Sequence, residues 1–373
     1  MQETIDAFHR NGCIASYAAR ELGVSDSTYR SRLANAKRKG LQPSQPSDRI
    51  PQGHVLKGTS TLYDQEGNER LTWVKTSRDQ ELAKIAMLEA VEAMKGTIQR
   101  EELITAPAYV KTDLLSCYVV TDYHLGQMSW GEETGQNWDM KIAEDLLIKW
   151  FKAAIEAAPD SHTAILAQLG DFLHTDSMLP ITPTSGHVLD ADTRFAKMVS
   201  VAIRVLRQII NMLLEKHENV IVVMAEGNHD MSTSIWLRAL FAEKYEDNLR
   251  IKVDQSHAPY YAHEWGDTSL FFHHGHKRKV KEVSKVFAGA YREIYGRTKY
   301  SYAHTGHMHH VDVKEDQMMI VTQHPTLAAK DAYSARGGYL SQRGASVITY
   351  HRNFGEVSRT TIRPEMVHHA DPA

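Results

Sequence analysis

Cysteine and long apolar runs are scarce in this sequence. Only Cys13 and Cys117 occur among the 373 residues, far apart in the chain, which argues against a disulfide framework and for a reducing compartment. No apolar run approaches the roughly 20 residues of a membrane span. The first residues, MQETIDAFHRNGC, lack the apolar segment of a secretory signal. We therefore expect a cytoplasmic protein with no membrane partner.

An excess of charge of one sign is also lacking. The 43 Lys and Arg residues nearly balance the 46 Asp and Glu residues, so the chain as a whole is not built to coat nucleic acid or an anionic membrane. Histidine, by contrast, is abundant, with 21 residues, many of them in the second half of the chain. Because histidine is the commonest metal ligand, this clustering indicates where a metal site should be sought.

Composition divides the chain into three parts. Residues 1–42 are basic and have a helical pattern. Residues 43–110 begin with a Pro- and Ser-containing linker, followed by a small hairpin (HVLKGTSTLY and ERLTWVKTS around DQEGN) and a helix over about 79–99. Residues 111–373 alternate short apolar strands with amphipathic helices, which predicts a layered α/β domain. The strand-rich later part predicts a second sheet packed on the first.

Five polar motifs follow the predicted strands of this domain. They are TDYH at 121–124, LGDFLH at 169–174, EGNHD at 226–230, HHGH at 273–276 and TGHMHH at 305–310. Ligands bind outside the carboxyl ends of the strands in open α/β sheets, so all five motifs should converge there. Their Asp, Asn and His side chains suit Mn, Fe, Zn or Ni rather than a thiolate-selective metal.

Spacing within the motifs predicts how the side chains are presented. Alternation places Asp122 and His124 on the same side of an extended segment, and His307 and His309 likewise, so that each pair can chelate. The carboxylate of Asp171 can bridge two cations, and two metals about 3.5–4 Å apart can clamp a phosphoryl group. Each motif alone has an ordinary alternative: a chance D-x-H, a capped helix start at GNHD, or surface histidines. Their order along the chain favours the metal site.

The order DxH, GDxxx, GNHD, HGH, GHxH resembles the calcineurin-like metallophosphoesterase superfamily, over residues from about 112 to 325. The resemblance implies a four-layer α/β/β/α sandwich, here with a small N-terminal helix-turn-helix module, and two divalent metals, Mn first with Fe, Zn or Ni as alternatives. Carried over by motif, the first metal is held by Asp122, His124, Asp171 and His309. The second metal is held by Asp171, Asn228, His274 and His307, with Asp171 as the bridge.

The resemblance also implies catalytic roles. His229 is expected to donate a proton to the leaving group or to bind phosphate, with Asp230 orienting it; the alternative for Asp230 is a helix cap. His273 should face away from His274, because neighbours in a strand point to opposite sides. His273 is therefore expected to stabilise the fold or to support the metal ligands without binding metal itself.

Substrate contacts are predicted beside the metals. His276 and the adjacent cations Lys277, Arg278 and Lys279 are placed where a substrate phosphate could be met, with a solvated basic helix start as the alternative. The insertion over 178–194 is predicted to overhang the metals. Its His187 and Asp190 are either binding residues or part of a simple loop.

Two differences from the motifs of protein phosphatases narrow the kind of phosphoesterase that the sequence predicts. Protein phosphatases of this superfamily typically show GDxVDRG and GNHE, whereas this chain has GDFLH and GNHD. GDFLH resembles an element of the double-strand-break-repair nuclease branch, in which the His serves substrate binding or catalysis. By that resemblance His174 takes this role; a loop histidine is the alternative.

The N-terminal segment ARELGVSDSTYRSRL resembles the helix-turn-helix of bacterial regulators. Ser25 or Asp26 would cap its second helix, and the predicted apolar set is Ile14, Ala18, Ala19, Leu22 and Val24. The resemblance implies DNA contacts, with residues at the start of the second helix reaching base edges and later basic ones meeting phosphates; the predicted contacts are Ser27, Thr28, Arg30 and Arg32. The alternative is a three-helix packing or oligomerisation module. One such module binds weakly unless the chain forms a homodimer.

Together these features predict an enzyme that cuts a phosphodiester of nucleic acid, most specifically a DNA nuclease. A phosphatase or cyclic-nucleotide phosphodiesterase acting on a small molecule is one alternative. A DNA-binding regulator with a scaffold phosphoesterase domain is another, which the complete ligand set disfavours. The domain order also resembles bacteriophage-encoded proteins, which would place the chain in a host cytoplasm.

Overall fold

The computed structural model describes residues 1–39, 54–63, 69–78, 100–183 and 186–367. The predicted linker prolines and the predicted helix over about 79–99 lie outside these residues. The chain forms two compact units, residues 1–87 and 88–373, which are described separately below. The division places the hairpin in the same unit as the N-terminal helices.

The first unit contains three helices and one antiparallel hairpin in its described residues: α1 (Gln2–Arg10), α2 (Ala15–Glu21), α3 (Asp26–Arg38), β1 (His54–Tyr63) and β2 (Glu69–Arg78). Ala18, Ala19 and Tyr29 lie in the small helical core. Ile14, expected in that core, is exposed instead. The predicted hairpin is confirmed.

The turn between α2 and α3 follows the sequence signals. Gly23 adopts φ 62°, a left-handed conformation that glycine tolerates readily. Ser25 is the residue before α3, and its side chain accepts a hydrogen bond from the amide of Thr28, so Ser25 rather than Asp26 is the cap.

A six-stranded sheet forms the centre of the second unit. Its described strands are β3 (Lys111–Val120), β4 (Ser161–Gln168), β5 (Asn219–Met224), β6 (Ile251–Val253), β12 (Ala345–His351) and β13 (Gly355–Ile362). The order is β13-β12-β3-β4-β5-β6. Strands β3 to β6 are parallel, and β12 and β13 extend the sheet in antiparallel fashion.

A five-stranded sheet lies on one face of the first. Its described strands are β7 (Tyr261–Trp265), β8 (Thr268–Phe272), β9 (Tyr300–Thr305), β10 (Asp312–Glu315) and β11 (Ile320–Gln323), in the order β10-β11-β9-β8-β7. Strand β3 shows why the two sheets pack. Alternate residues Leu115, Cys117 and Val119 face the core between the sheets, whereas Tyr118 and Val120 face the helices.

Helices cover both outer faces. The described ones are α4 (Gly131–Thr134), α5 (Met140–Ala157), α6 (Phe195–Lys216), α7 (Met231–Lys244), α8 (Val280–Ala290), α9 (Arg292–Arg297), α10 (Ala332–Arg336) and α11 (Pro364–Val367). The apolar faces of α5 and α6 pack on the six-stranded sheet, and α8 packs on the five-stranded sheet. The predicted four-layer α/β/β/α order is confirmed. Among the described helices, none is long and apolar enough to span a membrane.

Candidate metal centre

The five polar motifs meet at one edge of the two sheets. Three of them follow β3, β4 and β5, which are adjacent parallel strands of the larger sheet. The other two follow β8 and β9, which are adjacent parallel strands of the smaller sheet. Because parallel strands end at a common edge, the polar side chains converge there as predicted.

Two groups of potential ligand atoms surround Asp122. His309 Nε2 lies 3.2 Å from Asp122 Oδ1 and 3.3 Å from His124 Nε2. In the second group, His274 Nε2 lies 3.1 Å from Asp171 Oδ2. These atoms fall within 4.8 Å of one another in each group.

The remaining predicted ligands complete the second group. Asn228 Oδ1 lies 3.1 Å from His274 Nε2, and His307 joins Asp122, Asp171 and His274 within 4.8 Å. All seven residues are therefore brought together. The carboxylate shared by both groups is that of Asp122, whereas the bridging role of Asp171 stays a prediction.

The residues present fit divalent cations. Asp122 Oδ1 is buried, and no hydrogen-bond partner for it exists among the described residues. Two imidazole Nε2 atoms, those of His124 and His309, face each other across 3.3 Å beside it. A cation bound here would be coordinated by the carboxylate oxygen and by the lone pairs of the two imidazole nitrogens. Oxygen and nitrogen ligands of this kind suit Mn, Fe, Zn or Ni.

Neighbouring hydrogen bonds orient the ligands. Thr121 Oγ1 donates to Asp122 Oδ2 at 2.6 Å, and the amide of His307 donates to the same oxygen at 2.8 Å. Oδ1 is thereby left for a metal. His274 Nδ1 donates to the carbonyl of Leu169 at 2.9 Å, which directs Nε2 into the site. Such outer hydrogen bonds fix the ring orientation and tautomer of metal-binding histidines.

The electrostatics of the pocket favour a bound cation. Burial lowers the pKa of His124 well below its usual value, and the nearby His229 and His309 lower it further. His124 is therefore neutral and ready to coordinate. Burial also acts to lower the pKa of His274, but the carboxylates of Asp171 and Asp122 outweigh it and raise this pKa to about 9. A divalent cation would displace that proton.

The backbone at the ligands is left-handed rather than extended. The φ angles are 50° at Asp122, 47° at His124, 51° at Asp171, 72° at His307 and 54° at His309. The expectation that each D-x-H or H-x-H pair lies on an extended segment is therefore wrong. Apart from Cys13, these five are the residues other than Gly with positive φ in the described part of the chain. Each costs roughly 1–2 kcal/mol relative to right-handed backbone.

Two glycines allow the motifs to approach one another closely. A Cβ atom on Gly306 would collide with Thr121 Oγ1 and Asp122 Oδ2. A Cβ atom on Gly227 would collide with Asp171. The glycines of the GNHD and GHxH motifs therefore serve the approach of one loop to another.

Asp230 does not orient His229 as predicted. The imidazole Nδ1 of His229 donates to the carbonyl of His174 at 2.9 Å, so the main chain of His174 orients this ring. Asp230 instead accepts from four amides, those of Asp171, Phe172, Leu173 and Gly227, at 2.7–3.2 Å. Its carboxylate organises the loop after β4. It makes no side-chain cap to α7 either. Burial and the Asp171 carboxylate raise the pKa of Asp230 to about 8.

His174 lies beside the ligands. Its Nδ1 is 3.4 Å from His124 Nδ1, and its ring stacks 5.8 Å from that of His229. The Nε2 atom is buried, with no hydrogen-bond partner in the described residues. Burial, aided by His229, lowers the pKa of His174 to about 3. A neutral ring is thus held next to the site, and its catalytic role stays a prediction.

The residues predicted to contact the substrate phosphate lie outside the lining of the cavity. His273 faces away from the ligands as expected, and its Nδ1 donates to the carbonyl of Pro259 at 2.7 Å. The ring of His276 is 5.3 Å from that of His274, while Lys277 and Arg278 are exposed. The cavity that contains the ligands is not lined by any of His276, Lys277 and Arg278. Their contact with substrate stays a prediction.

A segment without any motif forms part of the cavity wall. The cavity has a volume of about 340 Å³ and is lined by ligand residues and His229. It is also lined by Thr326, Ala328, Ala329, Lys330, Asp331, Tyr333, Ser334, Tyr339, Ser341, Gln342 and Arg343. The described residues of the 178–194 insertion do not line it. The amide of Met128 donates to the carbonyl of Asp190, and the overhang of the metals by this insertion stays a prediction.

The predicted DNA-contacting residues are on the first unit. Ser27, Thr28, Arg30 and Arg32 are all exposed on α3, whereas Tyr29, Leu33 and Ala36 face the core. Arg30 Nε lies 3.2 Å from the Asp26 carboxylate. The polar face of α3 is thus free of helical packing.

Comparisons with known proteins give structural matches only. No protein-family model and no curated protein match the sequence. An archaeal phosphodiesterase is 14% identical, with a TM-score of 0.34, over 66% of this chain and 98% of that one. The Escherichia coli phosphoesterase Yfce is 11% identical, with a TM-score of 0.32, over 66% and 98%. A predicted phosphoesterase from Streptococcus pneumoniae TIGR4 is 9% identical, with a TM-score of 0.29, over 68% and 99%. The fold and site described above rest on this chain's own residues.

Proposed function

We propose that this chain is a dinuclear metal-dependent phosphoesterase, most specifically a phosphodiesterase that cuts nucleic acid. The observation that supports it most is the convergence of seven Asp, Asn and His side chains around the buried carboxylate of Asp122. A pair of divalent ions, Mn²⁺ first, would polarise the phosphoryl oxygens and supply an activated water. Asp122, His124, Asp171 and His309 would hold one ion, and Asp171, Asn228, His274 and His307 the other.

His229 is the proton donor in this proposal. Its Nδ1 is engaged by the carbonyl of His174, so Nε2 is the nitrogen left for substrate, and the residue lines the cavity. A leaving alkoxide needs a proton, and an imidazolium ring whose Nδ1–H is held by a carbonyl can deliver the proton on Nε2, which leaves the neutral ring with its hydrogen on Nδ1. Asp230 supports the reaction indirectly, because it holds the loop that carries Asp171.

DNA is the proposed substrate on the basis of the first unit. The exposed Ser27, Thr28, Arg30 and Arg32 on α3 offer two short polar side chains at the helix start and two cations behind them. Short polar groups reach base edges and cations meet phosphates in the helix-turn-helix arrangement. A single such module gives weak, salt-dependent binding.

A small nucleotide substrate is the second candidate. The cavity of about 340 Å³ is at the low end of the range of roughly 300–1,000 Å³ typical of small-molecule sites. That volume favours a single nucleotide unit over a broad duplex-binding surface. In this case the first unit would serve regulation or localisation.

The test is a substrate panel with purified protein and Mn²⁺. The panel contains bis(p-nitrophenyl) phosphate, single- and double-stranded DNA, RNA, cyclic nucleotides and p-nitrophenyl phosphate. Hydrolysis of the diester and of DNA supports the first proposal, and activity on cyclic nucleotides alone supports the second. If Asp171→Asn and wild type are equally inactive on every substrate while both bind metal, the enzymatic proposal is wrong.

A further inference from the structure

Two exposed tyrosines line the same cavity as the predicted metal ligands. Tyr333 is 74% exposed and Tyr339 is 55% exposed, and both line the cavity that contains His229 and His309. An aromatic ring open to solvent next to a polar reaction site offers a flat face for another ring. These two positions are therefore suited to stacking.

Both tyrosines are held by local structure. Tyr333 is on α10, whose start is capped by Asp331, since Oδ1 accepts from the amide of Ser334 at 2.8 Å. The ring of Tyr339 packs on Gly337, where a Cβ atom would lie 2.6 Å from Tyr339 Cε2. The two rings are thus placed by the wall itself before any ligand binds.

Lys330 is the cation of this wall that is available to an anion. Arg343 also lines the cavity, but its guanidinium donates to the carbonyl of Leu327 at 2.8 Å and lies over the ring of Trp138. Lys330 has no carboxylate partner within the described residues, and it is half-buried beside the metal ligands. Because Lys330 and predicted metal ligands line the same cavity, both can contact one bound phosphate.

The volume of the cavity and its exposed tyrosines indicate the kind of ligand that it can bind. Its volume of about 340 Å³ suits one nucleotide unit. A base inside a duplex presents only its edges in the grooves, whereas stacking on an aromatic side chain requires an exposed base face. Tyrosine stacking in this cavity is therefore compatible with an unpaired base.

We propose that Lys330, Tyr333 and Tyr339 form a subsite for an unpaired nucleotide, with Lys330 on the phosphate and the tyrosines against the base. This inference rests on the proposed phosphodiesterase function and specifies its substrate as a diester carrying an unpaired nucleoside. The same chemistry is offered by single-stranded DNA and by a free dinucleotide. A paired duplex interior is disfavoured.

Two matched esters test the subsite: the p-nitrophenyl ester of thymidine 5′-monophosphate and methyl p-nitrophenyl phosphate. They release the same leaving group, and only the first carries a base. Wild type should prefer the nucleoside ester in kcat/KM, and Tyr333→Ala or Tyr339→Ala should reduce that preference about tenfold. Lys330→Met should lower kcat/KM for both esters alike. Tyr109→Ala, at an exposed tyrosine outside the cavity, is the matched control and should keep the preference.

A binding measurement separates failure of the subsite from failure of the enzyme. Thymidine 5′-monophosphate and the single-stranded tetranucleotide dT4 are titrated against wild type and Tyr333→Ala, and weaker binding by the variant supports the subsite even if neither ester is cut. Preference for dT4 identifies the polymer as the source of the nucleotide, and equal affinity identifies the free nucleotide. If methyl p-nitrophenyl phosphate is cut but Tyr333→Ala retains both the preference and the affinity, the subsite is refuted while the phosphodiesterase stands.

Discussion

The ring of His229 is oriented by the main chain of His174: Nδ1 of the former donates to the carbonyl oxygen of the latter at 2.9 Å. The neighbouring carboxylate of Asp230 is turned away, into four backbone amides. The proposed proton donation and the organisation of the loop after β4 therefore belong to two adjacent residues. They can be separated by mutation.

His229→Ala should lower kcat on single-stranded DNA, whose leaving group is an alkoxide that needs a proton, by about 100- to 10,000-fold, the range typical of a lost general acid. Its side chain is outside the predicted ligand set, so metal content should equal that of wild type. Metal content is measured by inductively coupled plasma mass spectrometry on the purified protein. Loss of metal together with activity would instead identify His229 as a ligand.

Asp230→Asn should act on stability rather than on proton transfer. The amide of Asn places an N–H donor where backbone N–H groups already point, and a buried mismatch of this kind costs about 1–3 kcal/mol. The variant should unfold at lower urea concentration. Asp139→Asn is the control, because Asp139 caps α5 through the amide of Ile142 and Asn caps equally well. An unchanged urea midpoint for Asp230→Asn would contradict the assigned role.

Asp122→Asn should remove metal. The Asp122 carboxylate belongs to both ligand groups, and the substitution halves the negative charge that Asp122 and Asp171 together bring to the centre. We expect loss of at least one ion per chain and a fall in kcat/KM of about 100-fold or more, equivalent to about 2.7 kcal/mol. Asp145→Asn, on the surface of α5, should retain full metal content. A fully loaded Asp122→Asn would disprove the centre as described.

A buried chain of His304, His324 and Tyr350 predicts acid sensitivity. His304 Nδ1 lies 2.9 Å from His324 Nε2, and Tyr350 Oη lies 2.9 Å from His304 Nε2. Burial lowers the pKa of His324 to about 3, and the positive charge of Arg359 adds to the effect. The pKa in the unfolded chain is about 6.5.

Between pH 6.5 and 3 the unfolded chain therefore binds a proton that the folded chain does not, so the free energy of unfolding falls as the pH falls. At pH 5 the loss from His324 alone should be about 2 kcal/mol. Urea denaturation at pH 7 and pH 5 measures it. His324→Gln should show a smaller difference between the two pH values than wild type, and exposed His257→Gln should show the same difference. Equal pH dependence in His324→Gln and wild type would count against the buried neutral state.

Arg30→Ala should weaken binding to duplex DNA. It should also reduce the slope of the logarithm of the binding constant against the logarithm of the salt concentration by about one, as expected for one lost phosphate contact. The control is Arg204→Ala on α6, which removes a similar exposed ion pair, with Glu144. Affinity is measured by fluorescence anisotropy at several salt concentrations, with hydrolysis of bis(p-nitrophenyl) phosphate followed in parallel. Identical salt slopes for the two variants would remove the DNA-contact role of Arg30.

The sequence predicted the layers and the convergence of the seven Asp, Asn and His side chains, because both depend on local pattern. Strand β3 is apolar on both faces, and α6 repeats apolar residues at helical spacing, so tertiary packing agrees with the pattern. The ligands follow strand ends in a fixed order. Asp122 and His124 are brought together with the other predicted ligands for this reason, whereas the prediction of an extended backbone for the pair was wrong.

The remaining features depend on long-range packing. No periodicity marks residues 326–343, and this wall is placed by the return of the chain to β12 beside β3. Asp230 was misassigned because adjacency in sequence to His229 says nothing about the direction of the side chain. Its partners are the amides of residues 171–173, about 60 positions earlier. A pattern of single residues does not encode such a pairing.

The left-handed backbone at Asp122, His124, Asp171, His307 and His309 has a consequence for protein engineering. Glycine relieves this conformation, and stabilising redesign usually favours residues that suit the local backbone. A procedure that scored thermal resistance alone would therefore replace these five positions first. The resulting protein would be more stable but would lack the predicted metal ligands. Designs for higher stability should therefore leave these five residues unchanged.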